Sequence, residues 1–131
     1  MSTVLVVDDQ PELRQLFGRV LEQQKYTVIL AANGQEALGL LEQHKPDLVL
    51  LDMAMPQMDG LSFLRLVRQK PQWSRLPVII LSGLMSAEQV AEARKLGVND
   101  QLIKAEFSMK ELRSRVAKHL SNSTAANTTA A

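Results

Sequence analysis

The chain has 131 residues, a formal net charge of +1 and no cysteine, with 46% apolar and 22% charged residues. These values suit one globular domain with a real core. They exclude disulfides and thiolate metal sites and, without a basic stripe, argue against direct nucleic-acid binding. No apolar run approaches the ~20 residues that span a bilayer. Met1-Ser2-Thr3-Val4 has no leader-like pattern, so a cytoplasmic protein without membrane contact is expected.

Val4-Leu5-Val6-Val7 is an unbroken apolar run ending in Asp8-Asp9. Such a run suits a strand covered on both faces. Pro11 opens a helix, where its missing N–H is harmless. Leu13, Leu16, Phe17, Val20 and Leu21 then repeat on one helical face. A weaker strand at 27–31 and a short helix with Ala37, Leu38 and Leu41 follow. The third strand, Leu48-Val49-Leu50-Leu51, delivers Asp52, and a turn around Pro56 and Asp59-Gly60 leads into a helix to about Gln69. Val78-Ile79-Ile80-Leu81 is a fourth strand, ending in Ser82-Gly83. Ser86 with Gln89 reads as a capping box, and Gly97 as the helix stop. A fifth, less apolar strand spans 99–103 and ends at Lys104. Ser108 with Glu111 opens the last helix, with Leu112, Val116 and Leu120 inward. Residues 121–131 hold no large apolar side chain and read as a flexible polar tail or linker after a domain over 1–120.

Strands alternating with helices imply an α/β fold, a five-stranded parallel sheet wound on both faces. For five strands the common flavodoxin-like order is 2-1-3-4-5, with the ligand crevice at the carboxyl ends of strands 1 and 3. Asp8, Asp9, Asp52, Ser82 and Lys104 all fall at such ends, on four neighbouring strands about 4.8 Å apart. Three clustered carboxylates repel unless a cation sits among them. Oxygen ligands without His or Cys suit Mg²⁺ or another hard divalent ion such as Mn²⁺. A carboxylate beside such an ion, with a lysine and a hydroxyl nearby, can attack phosphorus. His44 and His119 read as exposed residues in helix C-terminal regions.

The motifs Val4-Leu5-Val6-Val7-Asp8-Asp9, Leu51-Asp52-Met53-Ala54-Met55-Pro56-Gln57-Met58-Asp59-Gly60, Ile80-Leu81-Ser82-Gly83 and Ile103-Lys104 stand in order. With them the chain, over about residues 3 to 120, resembles the receiver domain of bacterial two-component response regulators. The resemblance implies that Asp52 accepts a phosphoryl group from a histidine kinase or phosphotransfer protein. It implies that Asp8, Asp9, Asp52 and the Ala54 backbone carbonyl hold Mg²⁺, while Ser82 and Lys104 contact the phosphoryl group. It also implies a signalling domain, monomeric or weakly dimeric, that catalyses only its own phosphorylation and slow dephosphorylation. The face of the fourth helix, fifth strand and fifth helix, with Glu88, Glu92, Lys95, Gln101 and Lys110, would meet an output protein.

Two positions depart from the family pattern. Gln101 stands where an aromatic switch residue is usual, and Ala105 follows Lys104 where proline is common. A glutamine can hydrogen-bond but cannot fill an apolar slot. These departures keep open a phosphorylation-independent adaptor as the alternative. A phosphatase working through an aspartyl phosphate fits less well, because such sites usually need a second acid two residues after the nucleophile, where Ala54 stands. No segment after residue 120 reads as an output domain, so a stand-alone receiver and an excised one are both compatible. Ala54 and Leu84 occupy the positions that in receivers help place the hydrolytic water, and both are apolar. Slow loss of the phosphoryl group is therefore expected. Combining Ala54→Asn with Leu84→Glu should speed that loss by about tenfold or more, a small share of what positioning can contribute. Following the phosphorylated species by mass over time checks this, and an unchanged decay rate counts against it.

Overall fold

Side chains alternate across a strand, so a strand that is apolar throughout must be covered on both sides. The computed structural model describes residues 2–55, 58–83, 85–104 and 106–130, with 122–130 as backbone only. Its elements are β1 (Thr3–Val7), α1 (Pro11–Gln23), β2 (Thr27–Ala31), α2 (Gly34–His44), β3 (Leu48–Asp52) and α3 (Gly60–Gln69). These are followed by β4 (Val78–Ser82), α4 (Ala87–Lys95), β5 (Asp100–Ile103) and α5 (Met109–Ala130). The strands form one parallel sheet in the order β2-β1-β3-β4-β5, as the alternation predicts.

Each face of the sheet has its own core. Leu5, Val7, Val49, Leu51, Val78 and Ile80 pack against Ala37 and Leu41 of α2, Phe63, Leu64 and Val67 of α3, and Ala93 of α4. Val4, Val6, Leu48, Leu50, Ile79 and Leu81 pack against Phe17 and Leu21 of α1 and Leu112, Val116 and Leu120 of α5. β3 and β4 are buried at every position. Burying a side chain of this size contributes roughly 1.5–3 kcal/mol, so the central strands carry the largest share and hold their ends in fixed register. In that register Asp52 lies opposite Leu81, and Ser82 opposite Ile103.

Local signals set the helix ends. Ser86 and Gln89 form the expected reciprocal cap, at 3.1 and 2.9 Å. Ser108 Oγ accepts from Glu111 N (3.1 Å), while the Glu111 carboxylate pairs with Arg115 instead of closing the box. Gly97 adopts φ +75° just past α4, a conformation glycine takes without strain. Arg68 of α3 completes that end, donating to Leu96 O (2.6 Å), Gly97 O (3.2 Å) and Trp73 O (2.8 Å). A short 3₁₀ turn at Pro71–Trp73 occupies part of the loop before β4.

α5 continues to Ala130, through residues expected to form a flexible tail. No glycine or proline stands in 121–131 to stop a helix. His119, expected to be exposed, is instead largely buried, its Nε2 3.0 Å from Asp100 Oδ2 of β5. His44 is exposed, as expected. The turn expected around Pro56 involves residues outside the described set.

Gly60 permits the close approach of α3 to the end of β3. A Cβ there would lie 2.9 Å from Met53 Cα and 3.0 Å from Asp52 O, both backbone atoms that cannot swing aside. Gly60→Ala should therefore cost about 1–3 kcal/mol in urea unfolding, the usual range for overpacking. Gly39→Ala on α2, where a Cβ meets nothing within 4 Å, should instead gain roughly 0.5–1 kcal/mol.

Candidate functional site

The carboxyl ends of four adjacent strands bring Asp8, Asp52, Ser82 and Lys104 together, as the strand order predicts. Asp8 follows β1. Its N–H donates to Ala31 O at the end of β2 (3.1 Å), and its carbonyl accepts from Arg14 Nη1 of α1 (2.8 Å). Its Oδ1 accepts from Gln10 N at 2.9 Å. The end of β2, where no chemistry was expected, thus helps hold the first acid through its backbone. Arg14 carried no sequence signal, because no spacing rule marks a side chain reaching back to a carbonyl six residues earlier.

Asp52 closes β3 and is 1% exposed. The Ala54 N–H donates to its Oδ1 (3.1 Å), which fixes the carboxylate plane. Lys104 Nζ lies 3.2 Å from Asp52 Oδ2 and 3.8 Å from Asp8 Oδ2. The lysine is placed by its own N–H, which donates to Ser82 O at 2.7 Å. Lys104 thus forms an ion pair with both acids. Apart from this lysine, the buried Oδ2 atoms of Asp8 and Asp52 have no polar partner among the described residues. Asp9 is half-buried, and one oxygen from each of Asp8, Asp9 and Asp52 lies within 4.8 Å of the others.

Three carboxylates face one ammonium, so the cluster retains excess negative charge. Two buried oxygens that share a single ammonium, within an all-carboxylate donor set, fit a hard divalent cation. Burial raises the Asp52 carboxyl to about 6 from its ordinary 3.8; the Ala54 N–H opposes the shift, the Asp8 charge adds to it and Lys104 offsets it.

Ser82 is 2% exposed and accepts from Gln101 Nε2 at 3.2 Å. Gln101 Nε2 also lies 3.2 Å from Met85 Sδ, so this side chain points inward and not toward the outer face. Glu92 likewise leaves the expected face, since its carboxylate accepts from Arg65 Nε of α3. Glu88, Lys95 and Lys110 are exposed. Ala54 is exposed as well, while Leu84 and Ala105 lie outside the described residues. A cleft of about 560 Å³ lined by Lys45, Trp73 and Arg75, among others, opens at the opposite end of the sheet and shares no residue with the acids. Among the described residues, no helix is long and apolar enough to cross a membrane.

The family described as response regulator receiver domain matches residues 4–117. The chain is 37% identical over 117 residues to sporulation initiation phosphotransferase F of Bacillus subtilis, covering 89% of this chain and 92% of that one. It is 42% identical over 101 residues to an uncharacterized 14.6 kDa protein of Leptolyngbya boryana, 77% of each chain. The chemotaxis protein CheY4 of Vibrio cholerae superposes with a TM-score of 0.84 at 31% identity, covering 90% of this chain and 98% of that one.

The raised Asp52 pKa has a stability consequence of definite sign. The folded state takes up the proton more readily than the unfolded chain, so the penalty is absent below pH ~4 and complete above pH ~6. Without divalent metal, Asp52→Asn should stabilise the protein at pH 7.5 by roughly 1–3 kcal/mol. The gain should shrink toward zero as pH falls from 6 to 4. Urea unfolding of both proteins across that range checks it.

Proposed function

The chain belongs to the response regulator receiver family of two-component signalling, and we propose that it serves there as a phosphoaccepting switch. One observation carries the reading. Asp52 presents a buried Oδ2, paired only with Lys104 Nζ among the described residues, beside Asp8 and Asp9.

The Ala54 N–H holds Oδ1, which leaves Oδ2 as the free nucleophile. At neutral pH the carboxyl, titrating at about 6, is mostly ionised and stripped of water. Oδ2 attacks the phosphorus of a phosphorylated histidine kinase or phosphotransfer protein. A P–O bond to Asp52 forms, the donor's P–N bond breaks, and the bonding pair returns to the donor's imidazole. The Lys104 ammonium follows the charge from the carboxylate to a phosphoryl oxygen, and the Ser82 hydroxyl donates to another. Asp8, Asp9, Asp52 and the Ala54 carbonyl would hold Mg²⁺ or Mn²⁺. When bound, such an ion neutralises charge on the transferring group. The chemistry ends with slow hydrolysis of the protein's own acyl phosphate.

The output runs through α4, β5 and α5, whose outer surface carries Glu88, Lys95 and Lys110. An exchange of partners at Ser82 alters how β5 sits against α4, and a partner protein reads the change. The test is intact mass after incubation with acetyl phosphate and Mg²⁺. A phosphoryl adduct is expected in the wild type and absent in Asp52→Asn or in chelator. A folded wild type with no adduct, from acetyl phosphate or a phosphorylated histidine donor, supports a phosphorylation-independent adaptor instead.

A further inference from the structure

Gln101 stands on β5 with its amide nitrogen 3.2 Å from Ser82 Oγ and 3.2 Å from Met85 Sδ. A thioether sulfur can only accept, so the amide end facing Met85 is the –NH₂. Its two hydrogens then serve both neighbours, and the amide oxygen is directed away from them. This settles the polarity of the contact with Ser82, in which Gln101 donates and the hydroxyl oxygen accepts.

A serine hydroxyl has one proton to give. With its oxygen receiving from Gln101, that proton is left for another acceptor, and among the described residues none takes it. Ser82 itself is fixed by β4, where its carbonyl accepts from Lys104 N at 2.7 Å. The Gln101 amide occupies one lone pair of the hydroxyl oxygen and so narrows the directions open to its proton.

Building on the phosphoaccepting reading, we infer that Gln101 is a positioning residue that presets Ser82 as a hydrogen-bond donor to the incoming phosphoryl group. An aromatic side chain at this place can occupy or vacate space but has no amide to aim the hydroxyl. Here the order of donation runs from Gln101 to Ser82 to phosphoryl oxygen. Each bond polarises the next in the same direction. Because Met85 adjoins Ser86, the N-cap of α4, the same amide joins the end of β4 to the start of α4.

The test uses full-length protein and acetyl phosphate with Mg²⁺, reading the rate of adduct formation by intact mass. Gln101→Met keeps the length of the side chain but removes the donor, and should slow uptake roughly three- to tenfold, the range for one lost hydrogen bond. Gln101→Glu reverses the polarity, because a carboxylate accepts the hydroxyl proton. It should slow uptake further at pH 8 and recover relative to wild type as lower pH protonates the new carboxyl. In an Ser82→Ala background neither change should slow uptake again. Equal slowing with and without Ser82, or no slowing in folded Gln101→Met, overturns the assignment while leaving the phosphoaccepting reading intact. A folded wild type that forms no adduct, from acetyl phosphate or from a phosphorylated histidine donor, overturns both.

Discussion

The structure turns on the cost of placing the Asp8 and Asp52 carboxylates side by side in a buried site. An isolated ionised carboxylate is expensive to remove from water, and a second one nearby adds repulsion. One ammonium, from Lys104, lies within 4 Å of both. It reduces the cost without removing it, and burial still raises Asp52 to about 6. The remaining negative charge suits the site for a cation, and phosphoryl oxygens can approach only once that charge is offset. Local strain of this kind persists only where surrounding structure over-determines it.

That surrounding structure is the doubly covered sheet. β3 and β4 are buried at every position, so their register cannot slip without moving an entire apolar set across the sheet. Asp52 and Ser82 inherit this rigidity as terminal residues of those strands. Gly60 allows α3 to start against the Asp52 carbonyl, and Arg68 fastens the far end of α4 to α3. Gln101 reaches from β5 to both Ser82 and Met85 and so links the end of β4 to the residue before the α4 cap.

The strands and the acid cluster were legible because their signals are local and repeated. Unbroken apolar runs marked β1, β3 and β4, and the parallel order placed their terminal polar residues at one edge. Other features depend on contacts between distant segments that periodicity does not encode. Arg14 reaches back to the Asp8 carbonyl, and Ala31 receives the Asp8 N–H. His119 reads as a surface residue until Asp100 is seen beside it. Glu92 looked like part of the outer face because helix spacing places it on a polar side, yet Arg65 claims it. The inward turn of Gln101 follows from Ser82 and Met85 together. The continuation of α5 to Ala130 reflects the absence of a stop signal where an apolar stripe had already ended.

The central claim, that the buried acids hold charge that a divalent cation relieves, is tested most directly by linked stability. Urea unfolding would be followed against MgCl₂ concentration at pH 7.5, with ionic strength held constant by KCl. A cation bound only by the folded state stabilises it by RT ln(1 + [L]/Kd). The wild type should gain stability in proportion to the logarithm of Mg²⁺ concentration once the site begins to fill, and Asp8→Asn/Asp52→Asn should show a flat response. A wild-type curve independent of Mg²⁺, or equal gains in the double variant, would contradict the account.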